Sequence, residues 1–169
     1  MARLKIYKVS DEYIEYLRSF DKTVSLNKEN KRPYVGVVLD INDFKYFAPL
    51  TSPKEKHKTM KNTIDFMKIE GGKYGAINLN NMIPVNEGEL ISFDINVIED
   101  IEYKKLLQNQ FRYLRSKKDK IKENALNLYE KVVVKKDSVF IKRCSKFQEL
   151  ESVCKLFNNK NLEVAADKQ

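Results

Sequence analysis

Two hydroxyls, a lysine amine and the chain's one imidazole, on Thr51, Ser52, Lys54 and His57, stand close together where a β-patterned run ends. Hydroxyl and ammonium groups are hydrogen-bond donors that need no metal geometry, and a strand end holds them rigidly, so the pattern suits a phosphate. Ser52-Pro53-Lys54-Glu55 is also a good helix start, with Ser52 at the N-cap, Pro53 at N1 and Glu55 completing a capping box. The two readings are compatible. A helix N-terminus aims free N–H groups and a positive dipole outward, so Thr51, Ser52, Lys54 and that terminus can share one phosphate. His57 lies among Lys56, Lys58 and Lys61. Cationic neighbours disfavour its protonated form, which suits a base facing the same pocket, although a lone surface histidine most often has no special role.

What the chain lacks narrows the chemistry. Asp, Glu and His are not grouped at metal-ligand spacing, and no GxxxxGK[ST], GxGxxG or GxSxG run occurs, so neither a metal site nor a cofactor is expected and two-metal nucleases are disfavoured. A phosphodiester cut without metal points to RNA, whose 2′-OH is a built-in nucleophile. The protein then has to orient that hydroxyl, take its proton and neutralise the phosphorane charge. Thr51 and Ser52 can orient and donate; Lys54 and Arg32 can supply charge.

The formal net charge of the 169 residues is +8. Tyr103 to Lys122 holds eight basic residues against Asp119 alone, whereas Pro84 to Glu102 holds six acids and no base. A field so segregated favours polyanions, and a solvated helix face is its plainer explanation. Lys22 to Lys61 carries nine bases against four acids and brackets the hydroxyl motif. Tyr34, Tyr46, Tyr74, Tyr103 and Tyr113 intersperse these zones, and one or two could stack an unpaired base. No run is apolar enough for a signal peptide or a membrane span, so a cytoplasmic protein is expected. Cys144 and Cys154 fit core packing better than a disulfide framework or a zinc site.

The elements that must position these groups follow from periodicity. Leu4–Val9 reads as a strand, and Ser10 caps a helix with Tyr13, Ile14, Leu17 and Phe20 at helical spacing. Tyr34–Ile41 and Phe44–Leu50 form a hairpin about Asn42-Asp43, with Pro49 near the end or edge of its strand. Ile64–Ile69 and Lys73–Asn78 flank Gly71-Gly72 as a second hairpin, and Leu90–Val97 is a further strand. Helices follow after Asp100, over Lys120–Val133 and from about Ser145. The expectation is α+β: one compact domain over 1–161, with a twisted antiparallel sheet curled into a partial barrel, peripheral helices, and a frayed tail over 162–169.

The chain resembles the ToxN/AbiQ family, endoribonuclease toxins of type III toxin–antitoxin systems. The resemblance rests chiefly on Ala48-Pro49-Leu50-Thr51-Ser52-Pro53-Lys54. Support comes from Ile6-Tyr7 through Phe20-Asp21, the Tyr34 to Leu39 strand, Ala76-Ile77-Asn78-Leu79, Met82-Ile83-Pro84 and Tyr103-Lys104 through Gln110 to Arg115. It implies a Kid/MazF-like sheet and metal-independent cleavage of cellular or phage RNA to a 2′,3′-cyclic phosphate. It further implies an RNA antitoxin of tandem pseudoknot repeats that the toxin processes, closed toxin–RNA hetero-oligomers and abortive phage defence. Carried onto this chain, Thr51, Ser52, Lys54, Arg32 and His57 form the catalytic set. Lys31, Tyr34, Lys56, Lys58, Asn78, Lys104, Gln110, Arg112, Arg115 and Lys118 are the RNA-binding candidates, with the Tyr103–Lys122 helix as the groove. Arg32 stands where the family has a functional lysine, with Lys31 beside it. Arginine stays protonated, which leaves Lys31, Lys54 and His57 for proton transfer. The rival reading is a non-catalytic RNA- or DNA-binding regulator with the same basic face.

Overall fold

A computed structural model describes residues 4–29, 31–92 and 94–167, those from 158 onward by backbone alone. The chain begins with β1 (Lys5–Val9) and α1 (Asp11–Arg18), the latter capped by Ser10, whose hydroxyl accepts from the Tyr13 N–H. A hairpin of β2 (Tyr34–Ile41) and β3 (Phe44–Thr51) turns through Asn42 and Asp43, both at positive φ. That is the I′ geometry whose twist matches paired strands. After α2 (Glu55–Thr59) come four short strands: β4 (Met67–Lys68), β5 (Ala76–Ile77), β6 (Ile83–Pro84) and β7 (Leu90–Ser92). Helices α3 (Ile101–Ser116), α4 (Lys118–Tyr129), α5 (Ser138–Arg143) and α6 (Phe147–Asp167) complete the fold, with a π-helical turn over Glu130–Val134.

All seven strands join one antiparallel sheet in the order β4-β5-β3-β2-β1-β7, with β6 also paired to β3. Among the described residues the sheet is open rather than closed into a barrel, and β3 is its hub. One edge of β3 pairs β2, while the other takes β6 at Tyr46 and Phe47 and β5 at Leu50 and Thr51. The period of two along β3 sends Tyr46, Ala48 and Leu50 into a core shared with Leu107 and Leu114 of α3 and Ile121 and Leu128 of α4. Phe47 points the other way, into a core with Tyr13 and Leu17 of α1 and Leu150 and Cys154 of α6. The last strand residue of β3, Thr51, is therefore held by pairing on the sheet and by packed cores beneath the residues before it.

Several expectations shift. The Leu90–Val97 strand ends at Ser92 among the described residues, Phe93 lying outside them. Ile95–Val97 is a 3₁₀ turn because the Asp94 carboxylate accepts from the Asn96 N–H (2.9 Å), local bonding that competes with a ladder. The Gly71-Gly72 hairpin forms with shorter strands than expected. The two helices expected after Asp100 both form, but they divide at Lys117 (φ −113°, ψ 16°), so the basic run Tyr103–Lys122 is shared between them instead of lying on one groove-forming helix, and Leu114 and Ile121 reach the same core from different axes. Helix α6 continues to Asp167, through most of the stretch read as a frayed tail; 168–169 lie outside the described residues. Cys144 and Cys154 are buried free thiols.

Candidate active site

Thr51 is fixed from several sides. The Leu50 N–H before it donates to Pro33 O (2.9 Å), its backbone pairs with Ala76, and its Oγ1 accepts from Asn78 Nδ2 (2.9 Å). Gly75 makes this pairing possible: at φ +92° it lies so close that a Cβ there would stand 1.9 Å from Thr51 O. Ser52 leaves the sheet exposed, and its hydroxyl has no hydrogen-bond partner among the described residues. Ser52 does not cap α2. The helix starts two residues later than the sequence pattern suggests, with Lys54 at the N-cap. His57 N–H donates to Lys54 O (3.0 Å) and Lys54 N–H donates to His57 Nδ1 (3.1 Å). The imidazole thus takes the place that Glu has in an ordinary capping box.

That arrangement corrects the picture of His57. It is 1% exposed, packs on Phe66 and does not line the cavity described below. Its Nδ1 must keep a lone pair to accept from Lys54, so the neutral Nε2–H tautomer is favoured. Burial lowers its pKa from the ordinary value, and the Lys56 and Lys54 charges add to the effect. At five residues α2 offers little helix dipole, and the motif's reach toward phosphate rests on its side chains.

Beside the strand end lies a cavity of about 330 Å³, the size of small-ligand pockets. Thr51 and Ser52 form one wall, and Lys8, Lys28, Lys31 and Arg32 bring four cations without a carboxylate among the lining residues. Tyr103, Leu106, Leu107 and Gln110 of α3 close the other side. Arg32 is clamped: Nε donates to Leu26 O (2.6 Å) and Nη1 to Leu50 O (3.4 Å), leaving other N–H groups for a ligand. The loop bearing Lys28, Lys31 and Arg32 is pinned by buried Asn27. Its Nδ2 donates to Val9 O and Asp11 Oδ1 (both 2.7 Å), and its backbone carbonyl accepts from the N–H groups of Lys31 and Arg32 (3.1 and 3.0 Å).

Lys54 faces a second depression, of about 530 Å³, with Lys58, Lys73, Glu55 and Glu70. The Thr51–Lys54 run is therefore a ridge with its hydroxyls toward one hollow and its amine toward the other. Arg112 and Arg115 line a larger groove along β1, β7 and α3 with Lys5, Tyr7 and Phe111, the Arg115 guanidinium 5.6 Å from the Phe111 ring centre. Lys56, Lys104 and Lys118 lie outside these hollows; Lys104 Nζ donates to Asn96 O (2.9 Å).

Some candidates change position or role. Tyr34 is fully buried, so its ring is no stacking surface, and burial raises its pKa while Arg32 and Arg18 oppose the rise. Tyr46 is buried too, its hydroxyl donating to buried Glu151 (2.5 Å), whereas Tyr103 is half-buried on the cavity wall. Asn78 orients Thr51 from behind. Lys8 and Asn27 escaped the sequence reading. Lys8 sits in a strand without local signal, and the Asn27 side chain works through the Val9 carbonyl and the Asp11 carboxylate, both distant in sequence.

Comparison with known proteins points one way. Residues 5–155 match the family model described as "Toxin ToxN, type III toxin-antitoxin system". The chain is 37% identical to Endoribonuclease AbiQ of Lactococcus lactis subsp. lactis, over 94% of this chain and 91% of that one. It is 32% identical to Endoribonuclease ToxN of Bacillus thuringiensis subsp. kurstaki, over 97% and 89%. Over 70% of this chain and 75% of the relative it is 38% identical to Endoribonuclease ToxN of Pectobacterium atrosepticum. A solved structure of AbiQ, described as a lactococcal anti-phage endoribonuclease, superposes with a TM-score of 0.83 at 35% identity, covering 94% of this chain and 99% of that one. Another, from work on selective toxin inhibition by a non-coding RNA pseudoknot, gives 0.81 at 31%, covering 93% and 99%.

Proposed function

We propose, for a chain that belongs to the ToxN family of type III toxin–antitoxin systems and is an endoribonuclease, that cleavage proceeds by attack of the RNA's own 2′-OH. The observation that carries this reading is the single cavity in which the Thr51-Ser52 strand end meets Lys8, Lys28, Lys31 and Arg32 with no carboxylate. The 2′-oxygen forms a bond to phosphorus as its proton leaves to a base. The bond from phosphorus to the 5′-oxygen breaks, and that oxygen departs with a proton, giving a 2′,3′-cyclic phosphate and a 5′-OH. Ser52, exposed and without a partner among the described residues, donates to a non-bridging oxygen, Thr51 is aligned by Asn78, and Arg32 neutralises the phosphorane. His57 acts at one remove, by fixing the Lys54 backbone. Lys31 lines this cavity and is the better placed to take up the proton, whereas Lys54 borders the hollow across the Thr51–Lys54 run and can serve only by swinging its flexible side chain over that run.

By the same membership we read the chain as a toxin held inactive by a pseudoknot RNA and active against phage. Such an RNA is the stated inhibitor of one structural neighbour, and another is described as anti-phage. A closed toxin–RNA assembly in which the toxin processes its own antitoxin is part of this reading.

Incubating the protein with single-stranded RNA in excess EDTA tests the chemistry. Fragments with cyclic-phosphate 3′ ends and 5′-OH ends are expected; cleavage lost in EDTA and restored by Mg²⁺ would overturn it. Lys54→Arg keeps charge and removes basicity, so full activity in that variant would leave Lys31 as the base.

A further inference from the structure

The most buried polar residue lining the cavity is Gln110, on the buried face of α3 and 2% exposed. Its Nε2 is committed, donating to Tyr74 O at 2.8 Å, and the opposite amide orientation would set oxygen against oxygen. Its Oε1 has no partner among the described residues and next to no accessible surface, so a donor meets it only as the lining side chains give way on binding. A buried carbonyl oxygen left bare is costly, and native structures rarely keep one without a use.

The other lining groups divide the cavity by chemistry. Lys8, Lys28, Lys31 and Arg32 suit phosphate, whereas Tyr103, Leu106 and Leu107 offer an apolar, partly aromatic wall beside Gln110. A nucleotide entering with its phosphate among the cations would lay its base against that wall, where stacking is sequence-tolerant. Only a directional polar group can then distinguish one base from another, and an acceptor whose amide cannot flip accepts donors alone.

We propose that Gln110 Oε1 reads the base held in this cavity by accepting a hydrogen bond from its N–H edge, making Gln110 a specificity-determining residue of the cleavage reaction. The inference rests on the endoribonuclease reading above. It places base selection on α3 and the reaction at the end of β3.

The test compares wild type with Gln110→Met, which keeps volume and removes both polar atoms. The substrates are oligoribonucleotides that differ only in the base at each position flanking the cut. Wild-type kcat/KM should discriminate at one position by about 10- to 100-fold, the range for leaving a buried polar group unpaired. Gln110→Met should lose discrimination at that position and keep it elsewhere. Retention of every preference, with a uniform fall in rate, would overturn the proposal and make Gln110 a prop for the Tyr74 backbone.

A second arm needs no variant. Bases stripped of their exocyclic amine or ring N–H are placed at the same position and offered to the wild-type protein. A comparable loss is expected, and equal cleavage of all of them would overturn the assignment. Kd values for the same oligonucleotides with Ser52→Ala separate the two levels of argument. Selective binding without wild-type cleavage would support the Gln110 assignment while sinking the reaction, and cleavage without selectivity would do the reverse.

Discussion

At the scale of single residues, the proposed site separates groups that would touch RNA from groups that hold them. Ser52→Ala removes an exposed hydroxyl that bonds to nothing among the described residues, so stability should be unchanged while kcat falls about 10²- to 10³-fold, the usual loss for one donor in a preorganised site. Steady-state cleavage of a fluorogenic oligonucleotide together with urea denaturation checks both halves. Asn78 acts through Thr51 Oγ1, so Asn78→Ala should slow wild type but add little to Thr51→Ala. Additive losses would give Asn78 a contact of its own. His57 makes a prediction of opposite kind. Its pKa is lowered in the fold, so its contribution is complete above the unfolded value of about 6.5 and is lost as pH falls through the lowered folded value. Gln at this position can accept from the Lys54 N–H without titrating. The stability of wild type relative to His57→Gln should therefore drop between neutral and acid pH, and a constant difference would show that the imidazole does not titrate with folding.

At the scale of elements, the strand end proposed to be catalytic depends on close approach by a segment with no proposed catalytic side chain. Gly75→Ala would bring a Cβ to 1.9 Å of Thr51 O at φ +92°, while at Gly71, φ +64°, a Cβ meets nothing within 4 Å. Gly71→Ala should cost about 1–2 kcal/mol, the left-handed penalty alone, and Gly75→Ala roughly twice that or more, with activity lost as Thr51 shifts. Equal costs in chemical denaturation would mean that β5 does not press on β3. This dependence marks where the sequence stopped being legible. The β2–β3 hairpin and the Ser10 cap followed from local signals, period two and capping chemistry, and both formed as expected. The start of α2 did not, because the imidazole of His57 outcompeted a well-formed Ser-Pro-x-Glu signal for the cap. The cavity was legible as a list of residue types but not as a place. Lys8 and Gln110 reach it across the sheet and from α3, and nothing within a few residues of either announces that arrival.

At the scale of the whole molecule, the charge of +8 is divided among faces rather than spread along one basic helix. The break at Lys117 turns the cations of α4 onto another axis, and Lys122 lines a hollow with Val38, Asp40 and Leu126 instead of the cavities proposed to face RNA. Lys120 is exposed and pairs with Glu123 at 3.4 Å, a surface ion pair of little worth to stability. Binding of single-stranded RNA should weaken with salt by a log–log slope of about −0.7 for each phosphate neutralised. Arg32→Gln, in the cavity, and Arg112→Gln, in the groove beside Phe111, should each make the slope shallower by about 0.7, and Lys120→Gln should leave it as in wild type. The measurement is Kd by fluorescence anisotropy over a salt series, made in the Ser52→Ala background so that the RNA stays intact. If Lys120→Gln changes the slope as much as Arg112→Gln does, the RNA spans both helices and the break at Lys117 does not bound the interface. If only the α3 and cavity cations count, the eight basic residues of Tyr103–Lys122 are two surfaces, one that holds RNA and one that only raises the overall field drawing RNA in.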